Sequence, residues 1–588
     1  MHASGKAVWA DRAIATGFGL LLVGCLLLMS AVSGRFELIA LEADNAMRLV
    51  QIQDYLNGQH WFDVSQTRLG PDGGTDMHWS RLVDVPILLI RAILSAFMSP
   101  ETALYWAVMI WPPMSVLLLV FALASGARFL GGRAVLVFTG IIAATILFRH
   151  PNFLSGSIDH HNLQMGFLAM SLAFSIDPKR TPLSLALAGA ALASSLAVGV
   201  EVYPFVAVIC AFHALDWAFA GRAAQNGAAA FGASLGLMTA VFFLVSIAPS
   251  QYGAVHCDAL SLITVCAAML GGLGLAAVAF SLSGRPLVWR LAGLGALAIA
   301  CGLLLKLQAP QCLVNPVDAL PEFVRTMWLE NVSEARPLLA PRPNMLQEGP
   351  FMVGITLVAA MVSVWQIEMG VHRRAHILFL ALIAADLLMT LQQIRFYSFG
   401  HVFAILPLGA WVAGLYSAKP EGGQRAVAYV LALALSVPLV WSAPGLFLKA
   451  KPAGGDASAM VEGVCTSQDV LAALDAQPEG LVLAAADAAP DILRYTGQSA
   501  LHGNYHRNVA GIDLALRIFI ARPDEAAKMI QAGGVDYVLS CPSHAEMVLL
   551  RDANPDGLAA GLAAGDAMAF LTPIVVSKGG DALYAVKR

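Results

Sequence analysis

The chain has 588 residues, of which 58% are hydrophobic and only 13% are charged. Soluble domains carry roughly 25% charged residues, so this composition excludes an ordinary soluble protein and predicts a polytopic membrane protein. The formal net charge of −4 gives no reason to expect binding to nucleic acid.

Apolar segments long enough to cross a bilayer recur from about residue 14 to Pro444. The first follows Lys6 and Arg12 and is longer than the apolar part of a cleaved signal peptide, so we expect an uncleaved span. Thirteen spans are predicted, at residues 14–33, 103–124, 134–148, 163–175, 183–199, 203–220, 228–248, 259–281, 291–307, 351–368, 376–391, 400–416 and 426–443.

Basic residues predict the orientation of these spans, because lysine and arginine concentrate in cytoplasmic loops. With a cytoplasmic N-terminus, every inner loop contains at least one: Arg128 and Arg133, Lys179 and Arg180, Arg222, Arg285 and Arg290, Arg373 and Arg374, and Lys419 and Arg425. The outer loops are then residues 34–100, 149–162 and 308–350. We expect a transmembrane domain over residues 1–444 and an outer, soluble domain over residues 445–588.

The outer domain has the sequence pattern of a mixed α/β fold. The segments "GLVLAAAD" and "VDYVLSC" predict buried strands, and "DEAAKMIQAGG" predicts a helix that ends at glycine. The segment "TPIVVSKGGDALYAV" predicts a β-hairpin.

Four of the eight cysteines lie in or beside polar segments that are predicted to face outwards. An oxidising compartment there would allow the disulfides Cys257–Cys312 and Cys465–Cys541, and the alternative is four free thiols. The other four cysteines lie in apolar runs and are expected to be inert, small hydrophobic residues.

Polar side chains that could take part in catalysis or metal binding lie in the predicted outer loops. One acid follows the first span, with an arginine one helical turn later, and the stretch "SGSIDHHNLQ" places an aspartate before two histidines. Ionisable groups at a membrane edge cost free energy unless they are offset, which makes them functional candidates. The candidates are Asp44, Arg48, Asp159, His161, Glu334 and Arg395.

Carboxylates and an imidazole on one membrane face suit a divalent cation. We expect Asp44, Asp159 and His161 to bind Mn²⁺ or Mg²⁺, with the imidazole favouring Mn²⁺. A cation beside Arg395 would stabilise a phosphate leaving group. Simpler interpretations stay open, because Asp44 and Asp159 would also serve as helix N-caps and Arg395 as a headgroup anchor.

These motifs resemble those of oligosaccharyltransferase catalytic subunits, which are membrane glycosyltransferases of the GT-C class. The stretch "EADNAMRLVQIQDYL" is similar to their first-loop motif, with Asp44 as the acid. The stretch "SGSIDHHNLQ" is similar to their second-loop motif, with Gly156 and Asp159 in place and His161 where a second acid is usual.

Three later stretches extend the resemblance over most of residues 14–443. The segment "NVSEARP" resembles a Ser/Thr-Val/Ile-x-Glu segment of the family, and "IRFYSFGHVFAILPLGAW" resembles its Arg-Phe segment. "GVEVYPF", around Tyr203, resembles an aromatic-glycine stretch. The resemblance implies that Glu334 is a third acid and part of the acceptor site. It also implies that Arg395 contacts the lipid diphosphate. We expect Arg48, one helical turn after Asp44, to bind the lipid phosphate as well.

Two departures concern the acceptor and the metal. The Trp-Trp-Asp motif that reads the acceptor sequon is not found, and Asn152 replaces an arginine that the family has upstream of Asp159. The tail offers a polar cluster instead, which we expect to line the acceptor site unless "GNYHRN" is only a turn. Its members are Asp487, Asp491, Tyr505, His506 and Arg507.

The predicted function is transfer of a sugar or oligosaccharide from a polyprenyl phosphate or diphosphate carrier to an acceptor at the outer membrane face. The acceptor class stays open between protein, lipid and glycan. We expect a bacterial inner membrane, with a cytoplasmic N-terminus and a periplasmic C-terminal domain. The alternatives are a lipid or glycan transporter (a flippase) and a catalytically inactive relative that acts as a scaffold.

Overall fold

Two units, each built from separate stretches of the chain, make up the computed structural model. Residues 5–36, 41–71, 73–148, 150–314, 320–341, 345–417, 423–447, 465–577 and 580–587 are described. The first unit comprises Met1–Phe36, Ser80–Asn315 and Ser333–Ala450, and the second comprises Glu37–Trp79, Pro316–Val332 and Lys451–Arg588. The second unit thus combines part of the first predicted outer loop with the tail. The domain boundary at residues 444 and 445 stays a prediction.

Helices account for most of the described residues. The first helices are α1 (Gly5–Val32), α2 (Ala43–Leu56), α3 (Val85–Leu94), α4 (Pro100–Leu130), α5 (Arg133–Leu147), α6 (His161–Ser175), α7 (Pro182–Val198) and α8 (Tyr203–Ala220). They are followed by α9 (Gln225–Ser246), α10 (Leu262–Leu282), α11 (Leu287–Gln308), α12 (Glu322–Met327), α13 (Met345–Glu368), α14 (Arg373–Gln392), α15 (Tyr397–Ser417), α16 (Gly423–Leu435) and α17 (Pro438–Phe447). The tail adds α18 (Gln468–Asp475), α19 (Ala489–Tyr495), α20 (Val509–Ile520), α21 (Pro523–Ala532), α22 (Ala545–Ala553) and α23 (Leu558–Ala564).

Local sequence sets where several helices begin. Helix α4 starts after Ser99, whose side chain accepts a hydrogen bond from the N–H of Thr102, and Pro100 is its first residue. Helix α7 starts in the same way after Thr181, with Pro182 first. A hydroxyl satisfies one of the unpaired N–H groups of a first turn, and proline costs no hydrogen bond there.

The first unit contains the membrane-spanning helices. Within the described residues, nine helical segments are long and apolar enough to cross a bilayer: Ala10–Val32, Pro100–Leu130, Val200–Ala223, Gln225–Ser246, Leu262–Leu282, Leu287–Gln308, Glu348–Glu368, Arg373–Gln392 and Ile394–Ser417. Shorter apolar helices cover Arg133–Leu147, Pro182–Val198 and Ala426–Leu435. The protein is therefore a multi-pass membrane protein, while the count of thirteen spans stays a prediction.

The predicted span at residues 426–443 is divided between two helices. Residues 426–443 form the end of α16 and most of α17, which are separated at Ser436 and Val437. Pro438 has no N–H to continue the helix, and its ring clashes with the preceding turn, so the helix ends before it. Lys419, which contributed to the predicted orientation, lies outside the described residues.

The second unit is built around a five-stranded mixed sheet. Its strands are β3 (Leu481–Leu483), β4 (Ser499–Ala500), β5 (Tyr537–Ser540), β6 (Leu571–Val576) and β7 (Ala582–Val586), after a short pair of β1 (Ser65–Gln66) and β2 (Thr75–Asp76). The order is β4-β3-β5-β7-β6, with β3 parallel to β4 and β5, and β7 antiparallel to β5 and β6. The predicted tail strands, the helix over α21 and the hairpin are confirmed.

Both predicted disulfides are present. Cys257 is bonded to Cys312 in the first unit, and Cys465 is bonded to Cys541 in the second. The second bond joins the segment before α18 to the end of β5, across 76 residues of sequence. A covalent link across so long a segment restricts the unfolded chain.

Removing the second disulfide should loosen the tail. By the chain-entropy relation, closing a loop of this length stabilises the folded state by about 4 kcal/mol, so Cys465→Ser should lower the temperature at which the tail becomes protease-sensitive. Limited proteolysis of the full chain in detergent at rising temperature measures this. Cys301→Ser, which removes an unbonded cysteine of α11, is the control. Equal midpoints for the two variants would contradict the prediction.

Candidate functional site

The second predicted outer loop is fixed to two helices of the first unit by backbone hydrogen bonds. Pro112 lies inside α4 and has no N–H, so the carbonyl of Val108 loses its usual helical partner. The N–H of Gly156 donates to that carbonyl at 3.3 Å, and the N–H of Ser155 donates to the Ser30 hydroxyl of α1 at 2.9 Å. The loop that carries the candidate acid is therefore anchored at the proline break.

Gly156 is required at this anchor. Its φ of +83° lies in the left-handed region, which glycine adopts without the steric cost that a Cβ brings. After it, the chain runs through Asp159 and His160 into α6, which begins at His161. The turn thus presents three ionisable side chains at the start of one helix.

Two predicted metal ligands meet at this turn. An oxygen of Asp159, Oδ2, lies 3.5 Å from Nε2 of His161, and the other ring nitrogen of His161 lies 3.3 Å from Oε1 of Gln164. Gln164 in turn donates from Nε2 to Glu201 Oε2 at 2.8 Å. A carboxylate only accepts hydrogen bonds, so the Gln164 amide must turn its oxygen towards His161. In the neutral ring of His161, this contact favours the proton on Nδ1 and a lone pair on Nε2.

His160 links the same two acids by a second route. Its Nδ1 lies 2.6 Å from Asp159 Oδ1, and its Nε2 lies 3.2 Å from Glu201 Oε1. Burial disfavours the charged imidazole, but the carboxylates of Asp159 and Glu201 outweigh it and raise the pKa of His160 to about 10. Both ring nitrogens are thus donors to carboxylates, which removes His160 from the set of metal ligands.

Asp159 and His161 fit a divalent cation. Ligand bonds of about 2.1 Å place two neighbouring ligand atoms roughly 3.0–3.5 Å apart, which covers the 3.5 Å between Oδ2 and Nε2. Two carboxylates around one imidazolium also leave a net negative charge beside the pair. Asp159, His160 and His161 offer ligand atoms within 4.8 Å of one another, although His160 is occupied by its acids.

Glu201 and Gln164 were not among the residues predicted from the sequence. Glu201 lies in the 3₁₀ turn before α8, inside the segment "GVEVYPF", where an acid within an apolar run was a signal that could have identified it. Its carboxylate packs against Gly199, where a Cβ would lie 2.5 Å from Gln164 Nε2 and 2.6 Å from Glu201 Oε2. The absence of a side chain at Gly199 leaves space for the hydrogen-bonded side chains of Gln164 and Glu201.

Glu334 and Arg395 are brought together in the same unit. Arg395 Nη1 lies 4.0 Å from Glu334 Oε1, at the limit of an ion pair. Their two segments are joined by backbone hydrogen bonds, from the N–H of Ile394 to the carbonyl of Arg336 and from the N–H of Leu338 to the carbonyl of Leu391. Arg395 Nε is buried and has no hydrogen-bond partner among the described residues, so it can still donate to an anion.

Aromatic packing connects Arg395 to the acid–histidine network. Phe205, four residues after Glu201, packs on Phe399 and Phe403 of α15 with ring centroids 5.3 and 5.0 Å apart. Arg395 immediately precedes α15 and is close enough to Glu201 to interact with it electrostatically. The first unit therefore places Asp159, His161, Arg395 and Glu334 around one polar region.

His150 adds a second unsatisfied donor to this region. It is only 5% exposed, and neither ring nitrogen has a hydrogen-bond partner in the described part of the chain. Burial, with repulsion from His401 and His161, lowers the pKa of His150 to about 3, so the ring is neutral. A neutral imidazole close to His161 retains one N–H to offer.

The second unit holds the remaining first-loop candidates together with the tail. Asp44 lies half-buried in the first turn of α2, and the hydroxyl of Tyr505 donates to the adjacent carbonyl of Ala43 at 3.3 Å. Arg48 is buried, and its guanidinium carbon lies 4.7 Å from the centre of the Trp79 ring, so the two side chains pack together. Tyr505 contacts the same Trp79 ring edge-on at 5.5 Å.

Of the other tail candidates, His506 and Arg507 contact the first-loop segment, whereas Asp487 and Asp491 contact residues of the tail. His506 packs on His78 at 4.5 Å, and Arg507 lies 3.4 Å from the carbonyls of Asp76 and Met77. Asp487 instead pairs with His544 at 3.4 Å and accepts from Asn504, at the end of the parallel strands. Asp491 accepts from Thr466 at 2.6 Å, which is a structural contact.

The predicted residues thus form two sets, one in each unit. Asp159, His161, Glu334 and Arg395 share the first unit, whereas Asp44, Arg48, Tyr505, His506 and Arg507 belong to the second. The convergence of Asp44 with Asp159 and His161 on one cation stays a prediction, as do the roles of all these residues.

Comparison with solved structures identifies the fold. The chain is similar to the archaeal oligosaccharyltransferase AglB from Archaeoglobus fulgidus, solved in complex with an inhibitory peptide and a dolichol-phosphate. The match has a TM-score of 0.63 and 14% identity, and it covers 97% of this chain and 74% of that one. The apo form of the Archaeoglobus fulgidus enzyme gives 0.61 at 14% identity, for 97% of this chain and 74% of that one. Its complex with Zn and sulfate gives 0.58 at 14% identity, for 96% and 73%.

Sequence comparison adds nothing to this result. No protein-family model matches the chain, and no curated protein sequence matches it. The resemblance to oligosaccharyltransferases is therefore confirmed at the level of the fold, and the chain has the fold of the archaeal oligosaccharyltransferase.

Filling the space beside Glu201 should disrupt the network. Gly199→Ala would place a methyl group against Gln164 and Glu201, and such overpacking typically costs about 1–3 kcal/mol, so the thermal unfolding midpoint of the detergent-solubilised protein should fall. Gly302→Ala in α11 is the control, since no described atom lies within 4 Å of its added Cβ. An unchanged midpoint for Gly199→Ala would show that the packing is looser than described.

Proposed function

We propose that the protein is a membrane glycosyltransferase that moves a sugar or oligosaccharide from a polyprenyl phosphate or diphosphate carrier to an acceptor. The observation that carries this proposal is the Asp159–His161 pair, with 3.5 Å between its ligand atoms, in the same polar region as Arg395, whose Nε has no hydrogen-bond partner among the described residues. A lipid phosphate gains negative charge as it leaves, and a bound cation and an arginine beside it would both stabilise that charge. The shared fold with an oligosaccharyltransferase supports the same reaction class.

Asp159 and His161, with Asp44 as a third ligand, would hold Mn²⁺ or Mg²⁺. Such a cation, when bound, supplies positive charge against the phosphate leaving group. The Archaeoglobus fulgidus enzyme was solved in complex with Zn and sulfate, which supports a metal site in this fold. The imidazole ligand favours Mn²⁺ over Mg²⁺ in our proposal.

Arg395 is the proposed contact to the carrier phosphate. Its Nε points into buried space without a partner among the described residues, and an arginine binds phosphate oxygens through charge-assisted hydrogen bonds. AglB was solved with a dolichol-phosphate, which supports a lipid-linked phosphate as the ligand. Arg48 was also predicted for this role, but its buried stacking on Trp79 favours Arg395.

The proposed transfer exchanges one bond for another at the anomeric carbon of the sugar. The acceptor nucleophile bonds to that carbon while the bond from the carbon to the phosphate oxygen breaks, and the electron pair stays on the phosphate. Arg395 stabilises the charge that develops there. The proton of the acceptor passes to Asp44 or Glu334, with Asp44 the preferred base because Glu334 already faces Arg395 at 4.0 Å.

The acceptor-side candidates all belong to the second unit. Tyr505, which donates to the residue before Asp44, is the best supported of the acceptor-side candidates, followed by His506 and Arg507. AglB was solved with an inhibitory peptide, but the Trp-Trp-Asp motif is not found in this chain. We therefore keep protein, lipid and glycan acceptors as candidates.

We also propose the predicted orientation in a bacterial inner membrane. In this proposal the nine long spans among the described residues, the three shorter apolar helices and α6 make thirteen crossings, with the N-terminus in the cytoplasm and the tail in the periplasm. The two disulfides support it, because both lie in segments that the proposal places in the oxidising compartment.

The transporter alternative is favoured by one observation. Asp386 lies inside the candidate span Arg373–Gln392 and is 1% exposed, and acids at such depth often mark transport pathways. An inactive scaffold is the other alternative, since Asn152 and the missing Trp-Trp-Asp motif depart from the family.

One assay separates the three functions. Purified protein in vesicles is given a polyprenyl-linked sugar, an acceptor mixture and Mn²⁺, and release of polyprenyl phosphate or diphosphate is measured. Metal-dependent release is the expected result. Movement of the intact carrier across the bilayer without release would favour the transporter, and neither event would favour the scaffold.

Removing either proposed acid should abolish release. Asp44→Ala and Asp159→Ala take away a metal ligand, and Asp44→Ala also removes the preferred base, so both variants should be inactive while they still insert into the membrane. Release assays on membranes with matched protein amounts test this. Asp552→Asn, at an exposed acid of the tail, is the control. Normal release by the two alanine variants would reject the proposed site.

Removing the phosphate contact should slow release without abolishing metal binding. Loss of one electrostatic contact to a developing charge typically costs about 10²–10³ in rate, so Arg395→Gln should lower kcat by that factor. Steady-state kinetics with the lipid-linked sugar measure it. Arg285→Gln, at an exposed arginine between α10 and α11, should keep the wild-type rate. A kcat for Arg395→Gln equal to that of the control would contradict the role.

A further inference from the structure

We propose that Glu201 is a positioning residue that orients both first-unit metal ligands through two separate hydrogen-bonded relays. This inference rests on the proposed metal site and goes beyond it, because Glu201 is not a ligand itself. The first relay runs from Glu201 Oε1 to His160 at 3.2 Å and on to Asp159 at 2.6 Å. The second runs from Glu201 Oε2 to Gln164 at 2.8 Å and on to His161 at 3.3 Å.

The two relays end on the two side chains that would share the cation, Asp159 and His161. Oδ2 of Asp159 and Nε2 of His161 are 3.5 Å apart, and each belongs to a group whose other polar atom is held by a relay. A metal ligand held in this way keeps its rotamer and its basicity. One carboxylate therefore sets the orientation of two ligands at once.

The acceptor-only chemistry of Glu201 also selects the tautomer of His161. Gln164 must give its NH₂ to the carboxylate, which leaves its oxygen for the Nδ1–H of His161 and a lone pair on Nε2. Without Glu201, the Gln164 amide is free to turn over and offer NH₂ to Nδ1. The proton of His161 would then move to Nε2, where it blocks coordination.

Neighbouring residues fix the position of the Glu201 side chain. Gly199 leaves the carboxylate room against the backbone, where a Cβ would lie 2.6 Å from Oε2. Phe205, packed on Phe399 and Phe403, fixes the start of α8 against α15. Glu201 thereby belongs to both relays and also interacts electrostatically with Arg395.

Glu201→Leu removes both acceptors from a side chain of similar shape. Second-layer partners of a metal ligand typically contribute about 10–100-fold to affinity, so Mn²⁺ should bind about that much more weakly to this variant. The measurement is electron paramagnetic resonance of free Mn²⁺ during titration of the full-length protein in detergent. Glu368→Leu, at the exposed end of α13, is the matched control and should bind as the wild type does.

A double-mutant cycle separates a relay from general destabilisation. Gln164→Leu cuts only the His161 relay, and it remains informative if Glu201→Leu fails to fold. Because Glu201 is proposed to act on His161 through Gln164, substitution of Gln164 should weaken Mn²⁺ binding less in the Glu201→Leu background than in the wild type. Additive losses, or wild-type affinity in Glu201→Leu, would overturn the inference.

A spectroscopic readout identifies the ligand that is lost. Electron spin-echo modulation of bound Mn²⁺ should show a coordinated imidazole nitrogen in the wild type and in Glu368→Leu. The signal should disappear in Glu201→Leu and Gln164→Leu at Mn²⁺ concentrations that still fill the site. Its persistence in both would overturn the inference, whereas failure of the wild type itself to bind Mn²⁺ would instead refute the proposed metal site.

Discussion

A charged side chain in apolar surroundings must be paired, and this requirement organises the outer-loop region of the first unit. The imidazolium of His160 is held between the carboxylates of Asp159 and Glu201, at 2.6 and 3.2 Å. Removing one partner would leave an uncompensated buried charge, which is among the most costly changes a protein interior can suffer. The pairing therefore ties the start of α6 to the start of α8.

Backbone hydrogen bonds hold the loop that carries Asp159 and His160 in place. The proline break of α4 exposes the carbonyl of Val108, and Gly156 supplies the missing donor, so an interruption in one helix anchors the loop that leads to the next. Arg395 stands before α15, whose phenylalanines pack on Phe205. Polar groups from distant stretches are thus fixed on rigid helices, as a site for charge stabilisation requires.

Hydropathy and turn signals predicted much of the fold, because spans, tail strands and their ends are set locally. The break at Pro438 was missed because average hydropathy over a window does not register a lost hydrogen bond. The site was predicted in part, since "SGSIDHHNLQ" identified Asp159 and His161. Glu201 was missed because its partners His160 and Gln164 lie 41 and 37 residues away, and only the folded chain brings them together.

In the proposed site, one divalent cation would join Asp159 and His161 to Asp44 beside the carrier phosphate. Anomalous X-ray scattering from crystals of the full chain soaked in Mn²⁺ tests it most directly. We predict one anomalous peak about 2.2 Å from an oxygen of Asp44, an oxygen of Asp159 and Nε2 of His161. A peak at other residues, or Asp44 far from an occupied Asp159–His161 pair, would contradict it.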